Sequence, residues 1–180
     1  MEFDKVIMDR RSIRKFKSDE ITAEDINYII GNASLSPSAH NKQPWQYFVF
    51  TNENKKKFED LISDYITNKQ ELTYYEKIMR NCLPFIKQAP VIVLVYSSLK
   101  ENTLNDYLSL GSSIEHICLS AQNIGIGSLW LGVITEFKKL LDDNYNFDNM
   151  NLISAVVLGY ADEKPAARPR KQLNEIVKFM

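Results

Sequence analysis

The strongest feature of the 180-residue chain is an unbroken apolar run at residues 89–96, Ala-Pro-Val-Ile-Val-Leu-Val-Tyr. That composition suits a strand covered on both faces, and so a central one. Residues 45–51 are short, aromatic and β-branched, lie between Pro44 and Asn52, and read as a second buried strand. Residues 128–134 and 152–159 supply two more. Helical spacing accounts for the rest. Phe3, Val6 and Ile7 share one face of a helix over residues 2–9. Thr22 caps a second, in which Ile26, Ile29, Ile30 and Ala33 recur at helical spacing before Pro37 ends it. The longest helix is expected over 103–124, where Leu104, Tyr107, Leu108, Gly111, Ile114, Ile117, Cys118, Ala121 and Ile124 fall three or four apart, with Gly125 as its C′ residue. Such a helix spans about 30 Å. Gly111, Ser112 and Ser113 in its middle weaken helix propensity, which points to close approach by another helix or a ligand, a subunit interface being one such setting.

Residues 52–88 are polar, rich in Lys and Tyr and only patchily periodic; they read as two mobile helices, a lid over part of a single domain spanning 1–180. A short helix is expected at 137–141. Beyond Tyr160 the chain is polar until Leu173, Ile176, Val177 and Phe179, an apolar tail too short to stand alone, which must dock somewhere. Strands and helices that do not strictly alternate indicate an α+β layered fold.

Charge and composition narrow the function. Twenty-two Lys and Arg against 23 Asp and Glu leave a net charge of −1. Bulk attraction to nucleic acid or an anionic membrane is thereby disfavoured, and any basic site must be local. Cys82 and Cys118 are too few for a disulfide framework and lack zinc-site spacing. The acidic amino terminus is unlike a signal peptide, and no apolar run approaches the ~20 residues of a membrane helix. A soluble, cytoplasmic protein is the expectation.

Three clusters could carry chemistry. Residues 10–17 hold five cations and a hydroxyl within eight residues. Arginine forks match phosphate oxygens and Ser12 adds a donor, although basic residues at a helix carboxyl end are often merely solvated. Arg168, Pro169, Arg170 and Lys171 form a second basic cluster, in a stretch from 164 to 172 without an acid; it is either a solvated tail or a partner of the first cluster around one phosphate. The loop at 36–45, Ser-Pro-Ser-Ala-His-Asn-Lys-Gln-Pro-Trp, exposes amide and backbone groups able to bind a heterocycle or polyol, and is otherwise a well-capped turn. No glycine fingerprint of the dinucleotide-binding or P-loop type follows a strand. His40 and His116 have no metal-pair spacing, and His116 and Cys118 sit on an apolar helix face as packing residues.

Read together, these clusters resemble the nitroreductase family of FMN-dependent oxidoreductases over nearly the whole chain. The family's Arg-Arg-Ser-x-Arg-x-Phe stands at 10–16, its Pro-Ser-x-x-Asn-x-Gln-Pro-Trp at 37–45, its Gly-x-Gly-x-x-Trp-x-Gly at 125–132, and its basic, proline-bearing end at 168–173. The resemblance implies a nitroreductase-like fold, with a central mixed β-sheet flanked by helices, in an intertwined homodimer holding FMN at the subunit interface. It implies that Arg10, Ser12 and Arg14, with Arg11 beside them, and Arg168 and Arg170 hold the FMN phosphate and ribityl chain. Pro37, Ser38, Ala39 and Asn41 approach the flavin from the other subunit. Trp130, Leu131 and Gly132 give backbone and packing contacts to the ring system, and the apolar tail wraps the partner. The implied reaction is ping-pong: NADH or NADPH reduces the flavin and leaves, then a nitroaromatic, quinone or similar small acceptor takes the electrons. No catalytic side chain is required, because the cofactor reacts. The competing readings are a flavin-binding sensor or carrier without reductase turnover and, from another class, an anion or nucleic-acid module built on the arginines.

Overall fold

Four antiparallel strands build the centre of the molecule: β1 (Trp45–Thr51), β2 (Val91–Ser97), β3 (Gly127–Leu131) and β4 (Asn151–Gly159), in the spatial order β1-β2-β4-β3. The computed structural model describes residues 2–147 and 149–180. Trp45 pairs with Ser97 at one end of the β1–β2 ladder and Thr51 with Val91 at the other. Gly127 pairs with Gly159 where β3 meets β4. Every residue of β2 is buried, as its continuous apolar sequence requires.

The period-two alternation of β2 and β4 divides the core into two layers. Val91, Val93, Val95, Val156 and Leu158 face α2 (Ala23–Ser34) and α5 (Leu104–Asn123), packing on Ile29, Ala33, Leu110, Ile114 and Ile117. Ile92, Leu94, Tyr96, Ala155 and Val157 face the other way, onto α3 (Asn52–Asn68), α4 (Tyr74–Gln88) and α6 (Lys138–Tyr145). The helices start where their caps dictate. Thr22 accepts from the Asp25 N–H at 3.1 Å, and reciprocal capping boxes, Thr73 with Glu76 and Thr103 with Asp106, open α4 and α5.

Several expectations are corrected. The named strands are antiparallel throughout, and among the described residues parallel pairing is limited to an isolated bridge between Ser12 and Ser128, so this bridge alone gives the sheet a mixed character. The third strand ends at Leu131; Gly132–Phe137 turns into a 3-10 helix and α6 follows it. The two helices read at 52–88 are present, and Phe58, Ile62, Met79 and Ile86 on them are completely buried against the sheet. Their polar sequence reflects one solvated face; a sparse apolar stripe suffices when every member of it is buried. Helix α1 (Phe3–Asp9) buries only Val6 of its apolar face. The tail forms a single turn, α7 (Leu173–Ile176), and Leu173, Ile176 and Phe179 remain exposed. Around Gly111 there is open space, so nothing in the same chain makes the close approach read from its helix.

Candidate functional site

The basic segment that follows α1 is stitched along the end of the sheet. Ile13 donates its N–H to Ser128 O at 2.9 Å, Lys17 donates to Tyr160 O at 2.8 Å, and Asp162 donates back to Lys15 O at 2.9 Å. Ile13 and Phe16 turn inward and are buried, which leaves Ser12 and Arg14 facing outward. Two glycines permit this docking: a Cβ on Gly127 would lie 2.8 Å from Ile13 Cγ1, and one on Gly159 would lie 2.8 Å from both Phe16 Cδ1 and Pro90 Cδ. Glu163 accepts from the backbone N–H groups of Arg14 and Lys15, fastening the post-β4 chain to the same segment.

The consequence is a cavity of about 240 Å³ lined by Arg10, Arg11, Ser12, Arg14, Pro165, Ala166, Arg168 and Arg170. The two basic clusters, separated by most of the sequence, thus share one wall-to-wall site. Its donors are unevenly committed. Arg10 Nε pairs with Glu115 on α5 at 3.3 Å. Arg11 Nη1 closes the end of α1 on Met8 O at 2.6 Å and Arg10 O at 2.7 Å, while its Nε is buried without a partner. Among the described residues, Arg14, Arg168 and Arg170 make no ion pair. A concave group of guanidinium forks with a hydroxyl, one buried donor unsatisfied, is the donor set a phosphate needs. No cluster of His, Cys, Asp and Glu able to hold a metal occurs among the described residues.

The loop of Pro37, Ser38, Ala39 and Asn41 lies elsewhere in the chain, against the start of α5. Ala39 donates its N–H to Ser109 Oγ at 3.1 Å, Gln43 donates to Ser38 Oγ at 3.0 Å, and Lys42 Nζ reaches Asp106 Oδ1 at 3.0 Å. The hydroxyl and N–H of Thr103, together with Lys42, hold the Asp106 carboxyl down at about 2. His40, Asn41 and Gln43 adopt left-handed backbone angles. Trp130 is half-exposed at the end of β3, Leu131 is buried beneath it, and Gly132 opens the 3-10 turn with free space beside its Cα. One chain therefore brings Arg10, Arg11, Ser12, Arg14, Arg168 and Arg170 together. It brings neither the 37–41 loop nor residues 130–132 into that cavity.

Other reactive groups are quiet. Burial pushes the Cys118 thiol up to about 11 and raises Cys82 as well, so neither is a ready thiolate. His116 Nδ1 bonds Ser112 O at 2.9 Å along its own helix, as a packing residue does. Sequence reading missed Glu115, Glu163, Asp106 and Ser109. Only Asp106 carried a signal, the Thr-x-x-Asp of a capping box; the others are defined by chain segments that meet only in the fold.

Comparison with known proteins places the chain. The model of the family described as "Nitroreductase family" matches residues 7–160. A protein of Archaeoglobus fulgidus that carries an NADH dehydrogenase/NAD(P)H nitroreductase name is 32% identical over 165 residues, covering 89% of this chain and 86% of the relative. An iodotyrosine deiodinase of Thermotoga neapolitana is 24% identical, with 91% of each chain covered. Among solved structures, the FMN and NADPH-dependent nitroreductase of Sphigopyxis sp. strain HMH superposes with a TM-score of 0.88 at 19% identity, over 100% of this chain and 99% of its own. With its fold shared and the family model spanning β1 to β4 together with the basic segment, the chain belongs to the nitroreductase family.

Proposed function

We propose that the protein is an FMN-dependent oxidoreductase that draws on NADH or NADPH and reduces a nitroaromatic, quinone or similar small acceptor. The observation that carries this reading is the convergence of Arg10, Arg11, Ser12 and Arg14 with Arg168 and Arg170 around one cavity. The names of the relatives support it: several carry NAD(P)H nitroreductase names, and one fold neighbour is described as an FMN and NADPH-dependent nitroreductase.

FMN, when bound, supplies the redox chemistry, exchanging two electrons with the nucleotide and then with the acceptor in separate half-reactions. The protein's part is to hold it. Arg14, Arg168 and Arg170 neutralise the phosphate, Ser12 donates a hydrogen bond, and Arg10, steadied by Glu115, extends the same wall. Arg11 offers its unpartnered Nε to the neighbouring polar chain. Pro37, Ser38, Ala39 and Asn41 are assigned to the flavin of the partner subunit, since within one chain they lie away from the cavity. Trp130, Leu131 and Gly132 are assigned to the ring system. A homodimer fits the apolar surface left bare: Leu104, Tyr107 and Leu108 on α5, and the tail at Leu173, Ile176 and Phe179. No side chain need shuttle the reacting electrons, because the cofactor carries them.

The visible spectrum of the purified protein with added FMN, recorded anaerobically before and after NADH and then NADPH, tests the reading. A flavin band that shifts on binding and bleaches with either nucleotide is expected. A bound band that neither nucleotide bleaches would replace the reductase with a flavin carrier, and no binding would remove the assignment. Arg14→Ala should weaken FMN by about 1.5–3 kcal/mol, the scale of a charge-assisted hydrogen bond, with the FMN-free fold intact.

A further inference from the structure

The loop after Ser38 holds a conformation that needs explaining. His40, Asn41 and Gln43, none of them glycine, have φ angles of 54°, 52° and 48°. Strained backbone of this kind persists only where the surroundings over-determine it. Apolar burial is not the cause here, because residues 40–43 are all exposed. The hold is polar: inside the loop Gln43 donates its N–H to Ser38 Oγ at 3.0 Å, and α5 tethers the residues that flank the left-handed ones. Ser109 Oγ accepts the Ala39 N–H at 3.1 Å, and Asp106 Oδ1 accepts Lys42 Nζ at 3.0 Å. Asp106 and Ser109 are three residues apart and so stand on one face of α5.

Both anchors are themselves immobilised. The other carboxylate oxygen of Asp106, a residue 1% exposed, accepts the Thr103 N–H at 2.9 Å and the Thr103 hydroxyl at 2.7 Å. Ser109 donates its own hydroxyl to Asn105 O at 2.7 Å, which turns its free lone pair outward to Ala39. A rigid helix therefore grips an exposed, strained loop at two points. Strain held in place without packing to reward it is the arrangement of a preorganised binding surface.

We infer that Asp106 and Ser109 are positioning residues that fix the 39–43 loop in its left-handed form, ready to receive the flavin. The inference rests on the FMN reading above and adds to it the groups that set the loop's geometry without touching the ligand themselves.

The test uses the full chain with Asp106→Asn, Ser109→Ala and Lys42→Gln. Asparagine still accepts from the Thr103 N–H, so α5 keeps its cap; Lys42→Gln cuts the same tether from the loop side and leaves Asp106 in place. Three quantities are read: amide exchange at Lys42 and Gln43 in the FMN-free protein, the FMN dissociation constant, and the absorption band of bound flavin. Each variant should exchange faster; Asp106→Asn and Lys42→Gln should bind FMN about tenfold more weakly, the scale of one lost charge-assisted bond, and Ser109→Ala about two- to tenfold, the scale of a neutral one. The bound band should move toward that of free FMN, while exchange in β2 stays at the wild-type rate. Faster loop exchange with unchanged FMN affinity and spectrum would reduce the anchors to a structural role and overturn the inference alone. Unchanged exchange would show that the tethers do not hold the loop. Failure of the wild-type protein to take up FMN would remove the inference together with the reading on which it rests.

Discussion

Replacing Gly127 by alanine should damage the proposed FMN-phosphate site without altering any residue that lines it. The new Cβ would lie 2.8 Å from Ile13 Cγ1 and 3.1 Å from the carbonyl of Gly159. Ordinary carbon contacts sit at about 3.5–4.0 Å, so Ile13 must retreat by about 1 Å. Ile13 has nowhere simple to go: its side chain is buried and its N–H is bonded to Ser128 O at 2.9 Å. Overpacking of this sort costs about 1–3 kcal/mol. The displacement passes directly to Ser12 and Arg14, the neighbours of Ile13 in the cavity wall. A hydrogen bond stretched by about 1 Å leaves the working range, and losing one to a phosphate costs about 1.5–3 kcal/mol, a ten- to hundredfold weakening of FMN. Urea denaturation of the FMN-free protein and an FMN titration followed by flavin fluorescence measure the two effects separately. Gly31→Ala is the control: in α2, with nothing within 4 Å of its Cβ, it should gain about 0.5–1 kcal/mol and leave FMN binding unchanged. Wild-type stability and wild-type FMN affinity in Gly127→Ala would refute the claim that docking of Ile13 on β3 sets the proposed phosphate site.

Ile62→Ala should cost about 2–5 kcal/mol in urea unfolding, because the side chain is completely buried between α3 and the sheet; a loss under about 0.5 kcal/mol would favour residues 52–88 as a loosely packed lid. Hydrogen exchange should agree, slow in the buried turns of α3 and α4 and fast only at 69–73. Lys69 and the Thr73 N–H hold the Glu76 carboxyl at about 2, below its ordinary 4.5. A depressed folded value stabilises the native state above the ordinary value, and that stability is lost as pH falls from about 4.5 toward 2. Melting temperature should therefore fall less steeply over that range in Glu76→Gln than in the wild type, and parallel curves would exclude the effect. Gly111→Ala meets open space within its own chain. If a second copy makes the close approach, sedimentation should show the dimer dissociation constant raised at least about fivefold, since overpacking an interface costs about 1–3 kcal/mol; an unchanged constant would place the contact elsewhere.

Much of this protein is legible from period and composition. The continuous apolar sequence of β2 required cover on both faces because no polar position was left to face water, and the sheet places it centrally with every residue buried. Thr22 announces its helix because capping is a local bargain between a hydroxyl and the first orphan N–H groups; Thr73 and Thr103 make the same bargain in the structure. The residue types proposed to hold the phosphate were visible too, since guanidinium chemistry belongs to the residue whatever its neighbours are. Tertiary structure alone decided which of these residues meet. Arg14 and Arg168 share a cavity because β3 and β4 end side by side and two glycines admit Ile13 and Phe16, an arrangement no local pattern encodes. The patchy helices α3 and α4 became half of the core because burial depends on what lies opposite, and the loop residues Ala39 and Lys42 find hydrogen-bond partners in Ser109 and Asp106, more than sixty residues away. Local physics fixes what each segment can do; only the meeting of distant segments fixes where it does it.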